Sequence, residues 1–319
     1  MHRKTNTLNK LKVALIGCGF IGLSGTNDNK TKKYFRFITH FQTINFHSKF
    51  IPYIAVDKDK AKLKKAQQLG FNHVYTSIDE INIKSEIDVL VIALPPSERF
   101  DVIKNFNMVR AIICEKPLAL SFQEILKIEN HCKKNKINLY VNYWRRYDKK
   151  IIKLKESLLK KRIGDFQTGF ATYGGSLFSN GVHLLDVINF LLGPIKSIVK
   201  TNFDLGNDQG YLITLKNKKN IFISFIEFDF YREIYFDFWG SEGRVILAHE
   251  SLDVFFCRKK NHRSLSNNFE VSMDNMKKEN TNASESLLNL YEKVFLDLKN
   301  KNFFTDLSSK KWMKLLTLD

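Results

Sequence analysis

The stretch Val13-Ala-Leu-Ile-Gly17-Cys-Gly19-Phe-Ile-Gly22 decides how the rest of the chain is read. An apolar strand, Lys12–Ile16, runs straight into Gly-x-Gly-x-x-Gly. At such a turn Gly17 permits the tight reversal and Gly19 lets backbone N–H groups approach a pyrophosphate. Gly22 lets the next element pack closely on the strand. Three glycines in six residues also make an ordinary turn, so the weight comes from what surrounds them.

Working outward, a second strand, Phe50–Val56, ends at Asp57. A carboxylate there accepts ribose hydroxyls and repels a 2′-phosphate, which favours NAD over NADP, although Lys58 and Lys60 stand beside it. Asp57 lies 35 residues beyond Gly22, further than the usual ~20, and an inserted loop over residues 24–31 accounts for the excess. The breaker cluster Leu23-Ser-Gly-Thr-Asn-Asp-Asn-Lys30 delays the first helix to about Lys32–His47. Asp57 could also cap the following helix, Lys58–Leu69.

Strand and helix then alternate: Asn72–Tyr75, a turn at Ser77–Ile81, Asp88–Leu94, a helix capped by Ser97, Ala111–Cys114, an amphipathic helix at Ser121–Lys134, and Leu139–Asn142. Buried strands separated by helices imply a parallel sheet covered on both faces. After Arg146 the rhythm changes. A helix at Ile151–Leu159, a strand at Asp165–Tyr173 and a helix at Asn180–Leu192 precede a run of strands from Ser197 to Phe256. Short polar turns join these strands, which implies a mostly antiparallel sheet. Lys259–Asn282 reads as a long polar loop, and helices at Ser284–Lys299 and Leu307–Leu316 close the chain. The fold class is α/β plus α+β, with a dinucleotide-binding domain over residues 1–145 and a second domain with a large open sheet over 146–319.

The 319 residues, 44% apolar and 26% charged, have the composition of a soluble globular protein with room for two cores. No apolar run approaches the ~18 residues of a membrane span. The basic start Met1-His-Arg-Lys and the segment Leu15–Cys18 resemble a lipoprotein leader, but the apolar core is too short for one, so export is not expected. Cys18, Cys114, Cys132 and Cys257 lie far apart without C-x-x-C spacing, which predicts neither zinc site nor disulfide framework, no metal, and a cytoplasmic location. The net charge of +18 comes mainly from scattered lysines. Base readout and phosphate clamps favour arginine, so neither nucleic acid nor membrane is the expected partner; an acidic or phosphorylated small substrate would benefit from the same charge.

Two clusters carry chemistry. Cys114-Glu115-Lys116-Pro117 ends the fifth strand, and the carboxyl ends of parallel strands face the ligand crevice. A lysine there can hydrogen-bond a substrate hydroxyl and exchange its proton as hydride leaves the carbon. The glycine turn with Phe20 and Ile21, together with Leu94, Pro95, Glu115 and Lys116, are candidate cofactor contacts. The second cluster is Ser179-Asn180-Gly-Val-His183-Leu-Leu-Asp186. Helical spacing would place Ser179, Asn180, His183 and Asp186 on one ridge, with Asp186 free to orient the imidazole.

These motifs, in this order, resemble the glucose–fructose oxidoreductase / inositol dehydrogenase / MocA family: Gly17-x-Gly19-x-x-Gly22, Glu115-Lys116-Pro117 and Gly181-x-His183-x-x-Asp186. The likeness extends to Arg145-Arg146, Gly164 and Trp239-Gly-Ser-Glu-Gly243. It implies a Rossmann domain, a second domain whose open sheet makes a homodimer or homotetramer, and NAD(P)-dependent redox at a sugar or cyclitol carbon. It further implies Lys116 and His183 as the catalytic pair, converging on the nicotinamide. Two departures stand out. Many members carry an aspartate four residues before the histidine, where this chain has Ser179. The family's histidine after the Pro-Pro strand end is replaced by Arg99. Ser179-Asn180-Gly, the loop after Gly22 and Thr39-His40 resemble a branch associated with bacterial surface-polysaccharide loci.

The expectation is therefore an oxidoreductase acting on a sugar, cyclitol or nucleotide-sugar. Arg146, Ser179, Asn180 and His40 join Lys116 and His183 as substrate contacts. A non-catalytic nucleotide sensor of the same fold is the alternative, since fold alone does not establish function. A transfer enzyme using tightly held cofactor is a third reading.

Overall fold

The computed structural model of the protein describes residues 10–316 except 27, 205–208, 275 and 282. Residues 1–9 and Asn27 of the 24–31 loop lie outside the described residues. The chain divides into two compact units. The first comprises the residues up to Trp144 together with Ser284–Leu307, and the second Arg145–Ala283 with the residues from Ser308 onward. The division thus differs from a single cut at 145/146, because a late segment returns to the first unit.

The first unit holds a six-stranded parallel sheet: β1 (Leu11–Ile16), β2 (Phe50–Val56), β3 (His73–Tyr75), β4 (Val89–Ile92), β5 (Ala111–Cys114) and β6 (Asn138–Val141). Their order is β3-β2-β1-β4-β5-β6, and all neighbours run parallel. The order reverses between β1 and β4, the point where such sheets open a crevice at their carboxyl ends. Val13, Ala14 and Leu15 of β1 and all of β4 are fully buried, as strands covered on both faces must be.

The glycine turn behaves as its spacing demands. Gly17 has φ +96°, and a Cβ there would stand 2.6 Å from the Ala93 carbonyl oxygen. A Cβ on Gly22 would stand 2.0 Å from the Gly17 carbonyl oxygen. Neither position admits a side chain. A Cβ on Gly19 would meet no atom within 4 Å, so that side of the turn is open.

The turn does open into a helical segment, one π-type turn at Phe20–Ser24, which ends at Gly25 with φ +59°. The single helix expected over Lys32–His47 is two: α1 (Asn29–Tyr34) and α2 (His40–Phe46). Asp28 caps the first. Thr39 and Gln42 form a reciprocal capping box that starts the second, so Thr39 is a helix start and not a middle turn. Next come α3 (Lys60–Gln68), α4 (Pro96–Ile103) and α5 (Phe122–Lys134). The cap of α3 is Asp59 and not Asp57. Pro95, not Ser97, stands at the start of α4, where the missing N–H of Pro96 costs no helical bond.

The second unit contains α6 (Lys149–Leu159), β7 (Phe166–Gly174), α7 (Val182–Leu192), β8 (Ile195–Asp204), β9 (Gln209–Leu215), β10 (Asn220–Ile226), β11 (Ile234–Gly240), β12 (Gly243–Ala248), β13 (Asp253–Asn261), β14 (Phe269–Val271) and β15 (Lys277–Asn280). Its nine-stranded sheet runs β14-β13-β12-β11-β7-β10-β9-β8, with β15 also on β13. Among the described strands only β7 and β10 pair in parallel. The polar loop expected at 259–282 carries β14 and β15 in place of unbroken coil. Both are short edge strands: β14 has only three residues and β15 is rich in charged ones, which hides them from an apolar-pattern reading.

Two helices close the chain. In α8 (Ser286–Lys299), Leu287, Leu290, Tyr291 and Val294 are buried in the first unit, where α8 packs on α2. In the second unit, α9 (Ser308–Leu316) packs on β8 and α7. Because Gly22 has no room for a methyl group, Gly22→Ala is expected to lower unfolding stability by ~1–3 kcal/mol. Gly19→Ala, facing open space, should stay within ~0.5 kcal/mol of the parent; urea unfolding of both checks this.

Candidate active site

The carboxyl edge of the parallel sheet gathers most of the cofactor candidates. The turn Gly17-Cys-Gly19-Phe20-Ile21-Gly22 follows β1, Asp57 follows β2, Leu94-Pro95 follows β4, and Glu115-Lys116 follows β5. Asp57 is tied to the turn. One carboxylate oxygen accepts the Cys18 N–H at 2.8 Å and the other the Asp59 N–H at 2.9 Å. A carboxylate offers about four lone-pair sites, so both oxygens keep capacity for ribose hydroxyls. The Leu94 side chain abuts the turn, 3.2 Å from where a Gly17 Cβ would lie. Phe20 is 56% exposed beside the open flank of Gly19. An uncrowded glycine, exposed turn residues and an adjacent acid fit a dinucleotide.

The end of β5 is built around a buried carboxylate. Glu115, with a side chain 12% exposed, accepts from Asn142 Nδ2 at 2.6 Å and bonds His40 Nε2 at 3.0 Å. His40 is fully buried, and its Nδ1 meets the Tyr291 hydroxyl at 2.9 Å. Burial by itself would push the Glu115 carboxyl up, but the bonds from His40 and Asn142 outweigh it and hold it below the usual carboxylate range. Burial raises the Tyr291 phenol well above its ordinary value, so it stays protonated. With both ring nitrogens engaged, His40 is part of the scaffold and not the substrate contact expected of it. Asn142 and Tyr291 were not foreseen. Asn142 sits one residue past β6, where the strand-end rule would have placed it; Tyr291 arrives on α8 with no local signal.

Lys116 is half-buried and precedes Pro117 through a cis peptide bond. Arg99 is 3% exposed and donates to three main-chain carbonyls: Leu94 at 2.9 Å, Glu115 and Pro117.

In the second unit His183 lies one residue into α7 and is 6% exposed. The predicted ridge is altered. Residues Leu177–Gly181 form a π-type turn, so Ser179 and Asn180 do not share α-helical spacing with His183. Ser176 caps this turn, the Ser179 hydroxyl donates to the Ser176 carbonyl at 3.0 Å, and Asn180 Nδ2 donates to the Gly174 carbonyl at 2.7 Å. Gly175, at φ +89°, permits the reversal. Asp186 is 1% exposed, and Arg146 takes both of its oxygens, with Nε to Oδ2 at 3.0 Å and Nη2 to Oδ1. Arg146 Nη2 also reaches the Ser308 hydroxyl at 2.8 Å. Arg146 and Asp186 therefore serve each other first. Among the described residues no group of three or more His, Cys, Asp or Glu is placed to hold a metal, and no helix is long and apolar enough to cross a membrane.

Comparison with known proteins matches residues 11–143 to the GFO_IDH_MocA family, an oxidoreductase family with the NAD-binding Rossmann fold. The match falls within the first unit. An oxidoreductase of Schizosaccharomyces pombe is 23% identical over 185 residues, 51% of this chain and 50% of that protein. Inositol 2-dehydrogenase of Rhizobium meliloti is 26% identical over 132 residues, 37% and 40% of the two chains. The chain thus spans half or less of the length of these curated relatives. The solved WlbA dehydrogenase from Bordetella pertussis, in complex with NADH and UDP-GlcNAcA, superposes with a TM-score of 0.72 at 15% identity, covering 97% of this chain and 94% of that one. This likeness in fold covers both units, well beyond residues 11–143.

The Glu115 network carries a pH signature. A carboxyl whose folded pKa is depressed contributes stability that is present above its unfolded pKa and lost as pH falls through the folded one. Glu115→Gln is expected to cost ~1–3 kcal/mol at neutral pH. The gap from the parent should close as pH falls below ~4.3, as read by urea unfolding across that range.

Proposed function

We propose that this protein is an NAD(H)-dependent oxidoreductase that moves a hydride to or from a ring carbon of a sugar, cyclitol or nucleotide-sugar. The observation that carries the reading is Lys116. It stands at the tip of β5, on the same sheet edge as the uncrowded Gly19 and Asp57. NAD(H), when bound there, supplies the hydride acceptor or donor at nicotinamide C4. Gly17, Gly19, Phe20, Ile21 and Gly22 would hold the pyrophosphate and Asp57 the adenosine ribose. Leu94, Pro95, Glu115 and Lys116 would line the nicotinamide end.

In the oxidation direction Lys116 hydrogen-bonds the substrate hydroxyl oxygen, and His183 takes the hydroxyl proton as general base. In reduction the same imidazole returns it. Glu115, committed to His40 and Asn142, keeps a fixed negative charge next to Lys116 and favours its protonated, donating form. Ser179, exposed, and Asn180 and Arg146, half-exposed, are the remaining substrate contacts we assign. Where other members carry a carboxylate, Ser179 cannot move a proton, which leaves that task to His183.

The nucleotide-sugar option, with a role in surface-polysaccharide synthesis, rests on the Ser179-Asn180-Gly segment; the WlbA likeness supports it at the level of fold. The reading extends to a homodimer or homotetramer formed through the second unit's open sheet. There Phe170, Phe222, Leu212 and Val199 occupy register positions across β7, β10, β9 and β8, and the two phenylalanines stack at 5.8 Å while each 48% exposed. Continuous apolar rows of this kind mark association faces. A reducing, cytoplasmic setting suits the four unbridged cysteines; burial pushes Cys18 and Cys132 up to about 12 and Cys114 to about 11. Lys116→Ala and His183→Ala are each expected to lower kcat by ~10²–10⁴-fold while NADH still binds. Steady-state kinetics with fluorescence titration of NADH checks this. Unchanged turnover in both would overturn the assignment; NADH binding with no turnover of any sugar would favour a sensor.

A further inference from the structure

We infer that Arg99 is the positioning residue for Lys116, holding the backbone on either side of it so that the ammonium is presented from a fixed origin. This rests on Lys116 being the lysine that handles the substrate hydroxyl. It goes beyond that reading by assigning a purpose to the residue that replaces the family's histidine.

The geometry is local to the first unit. The strand ladder of β5 ends at Cys114, whose carbonyl accepts from Asn142, and the Glu115 N–H makes the last bond back to Ile92 at 3.0 Å. Beyond that point the Glu115 and Pro117 carbonyls have left the ladder. Arg99 Nη1 donates to both, on the two sides of residue 116, while Nε donates to the Leu94 carbonyl at the end of β4. One planar guanidinium therefore joins the ends of two adjacent strands. On its other side, the Glu115 side chain is pinned by His40 and Asn142. The peptide carrying Lys116 is held from two directions.

Besides these bonds, the Arg99 charge helps to hold the Glu115 carboxyl low. Among the described residues it makes no ion pair, and it is 3% exposed. Burying a guanidinium is costly unless its donors find acceptors, and here main-chain carbonyls accept from Nε and Nη1. An imidazole offers at most two donors in a ring too small to span three carbonyls, and an ammonium lacks the planar fork. Placement matters because a shift of ~1 Å at a reacting group costs ~10²-fold in rate.

The test uses the whole protein and two readouts. Competitive acetylation of lysines by acetic anhydride, read by peptide mass spectrometry across a pH series, reports the accessibility and basicity of Lys116 without any turnover. In Arg99→Leu the labelling of Lys116 is expected to change several-fold while Lys12, Lys60 and Lys127 keep their parental rates. Added guanidine should move it back, and NADH affinity should stay within about threefold, well under the tenfold that 1.4 kcal/mol would give. With a substrate in hand, kcat should fall ~10²-fold with KM little changed, and Arg99→Lys should recover part of it. Labelling of Lys116 that stays parental in a folded Arg99→Leu protein overturns the inference, as does a change shared by every lysine. Should Arg99→Leu not fold, Arg99→Lys takes its place, and the same two labelling outcomes decide. If Lys116→Ala keeps full turnover, the redox role of Lys116 fails, while the labelling still decides whether Arg99 positions it.

Discussion

A carbonyl oxygen with no room beside it sets the geometry of the first unit. The Gly17 oxygen occupies the space a side chain at residue 22 would need, 2.0 Å from the would-be Cβ, and Ala93 O closes on Gly17 in the same way. The chain leaving β1 is thereby pressed against the start of the next element and the end of β4. Cys18 N–H is turned toward Asp57, and Gly19 alone of the three glycines is left with an open flank. The turn proposed for a pyrophosphate and the acid proposed for a ribose are thus parts of one close-packed joint.

The same edge shows how a strand end is made into a site. Past Cys114 the sheet no longer satisfies the backbone, and the polar groups there must find other partners. Arg99, His40, Asn142 and Tyr291 supply them, three of these from elements distant in sequence. Such a network is worth its burial only when every member is paired. Here the pairing runs from the Tyr291 hydroxyl through His40 to Glu115, next to the residue assigned to chemistry, while Asn142 Oδ1 is buried without a partner.

Much of this could be read beforehand, for identifiable reasons. The parallel sheet follows from apolar strands at regular intervals, and β5 was placed residue for residue because Ala111–Cys114 is bounded by polar groups on both sides. The glycine turn, Asp57 and Lys116 follow from the rule that ligands meet carboxyl strand ends. What stayed hidden depends on distance along the chain or on weak local pattern. The capping box Thr39-x-x-Gln42 was legible yet outweighed by the apolar residues around it. The strand β15 carries no apolar alternation, and β14 is too short at three residues to show one. The return of α8 to the first unit, and with it Tyr291, has no local signature; only the packing of its buried face on α2 declares it. The ridge around His183 was drawn on α-helical spacing, and a π-type turn fixed by Ser176, Gly175 and Asn180 replaces it.

The central claim is that the carboxyl edge of the parallel sheet is an NAD(H) platform. Native mass spectrometry of the protein purified without denaturation, before and after adding NADH, tests it most directly. One dinucleotide per chain is the predicted result, carried on a dimeric or tetrameric mass and lost when Gly19 is replaced by a bulky residue in a folded protein. A protein that retains no dinucleotide even with NADH in large excess, or that retains it equally with that flank filled, would contradict the claim.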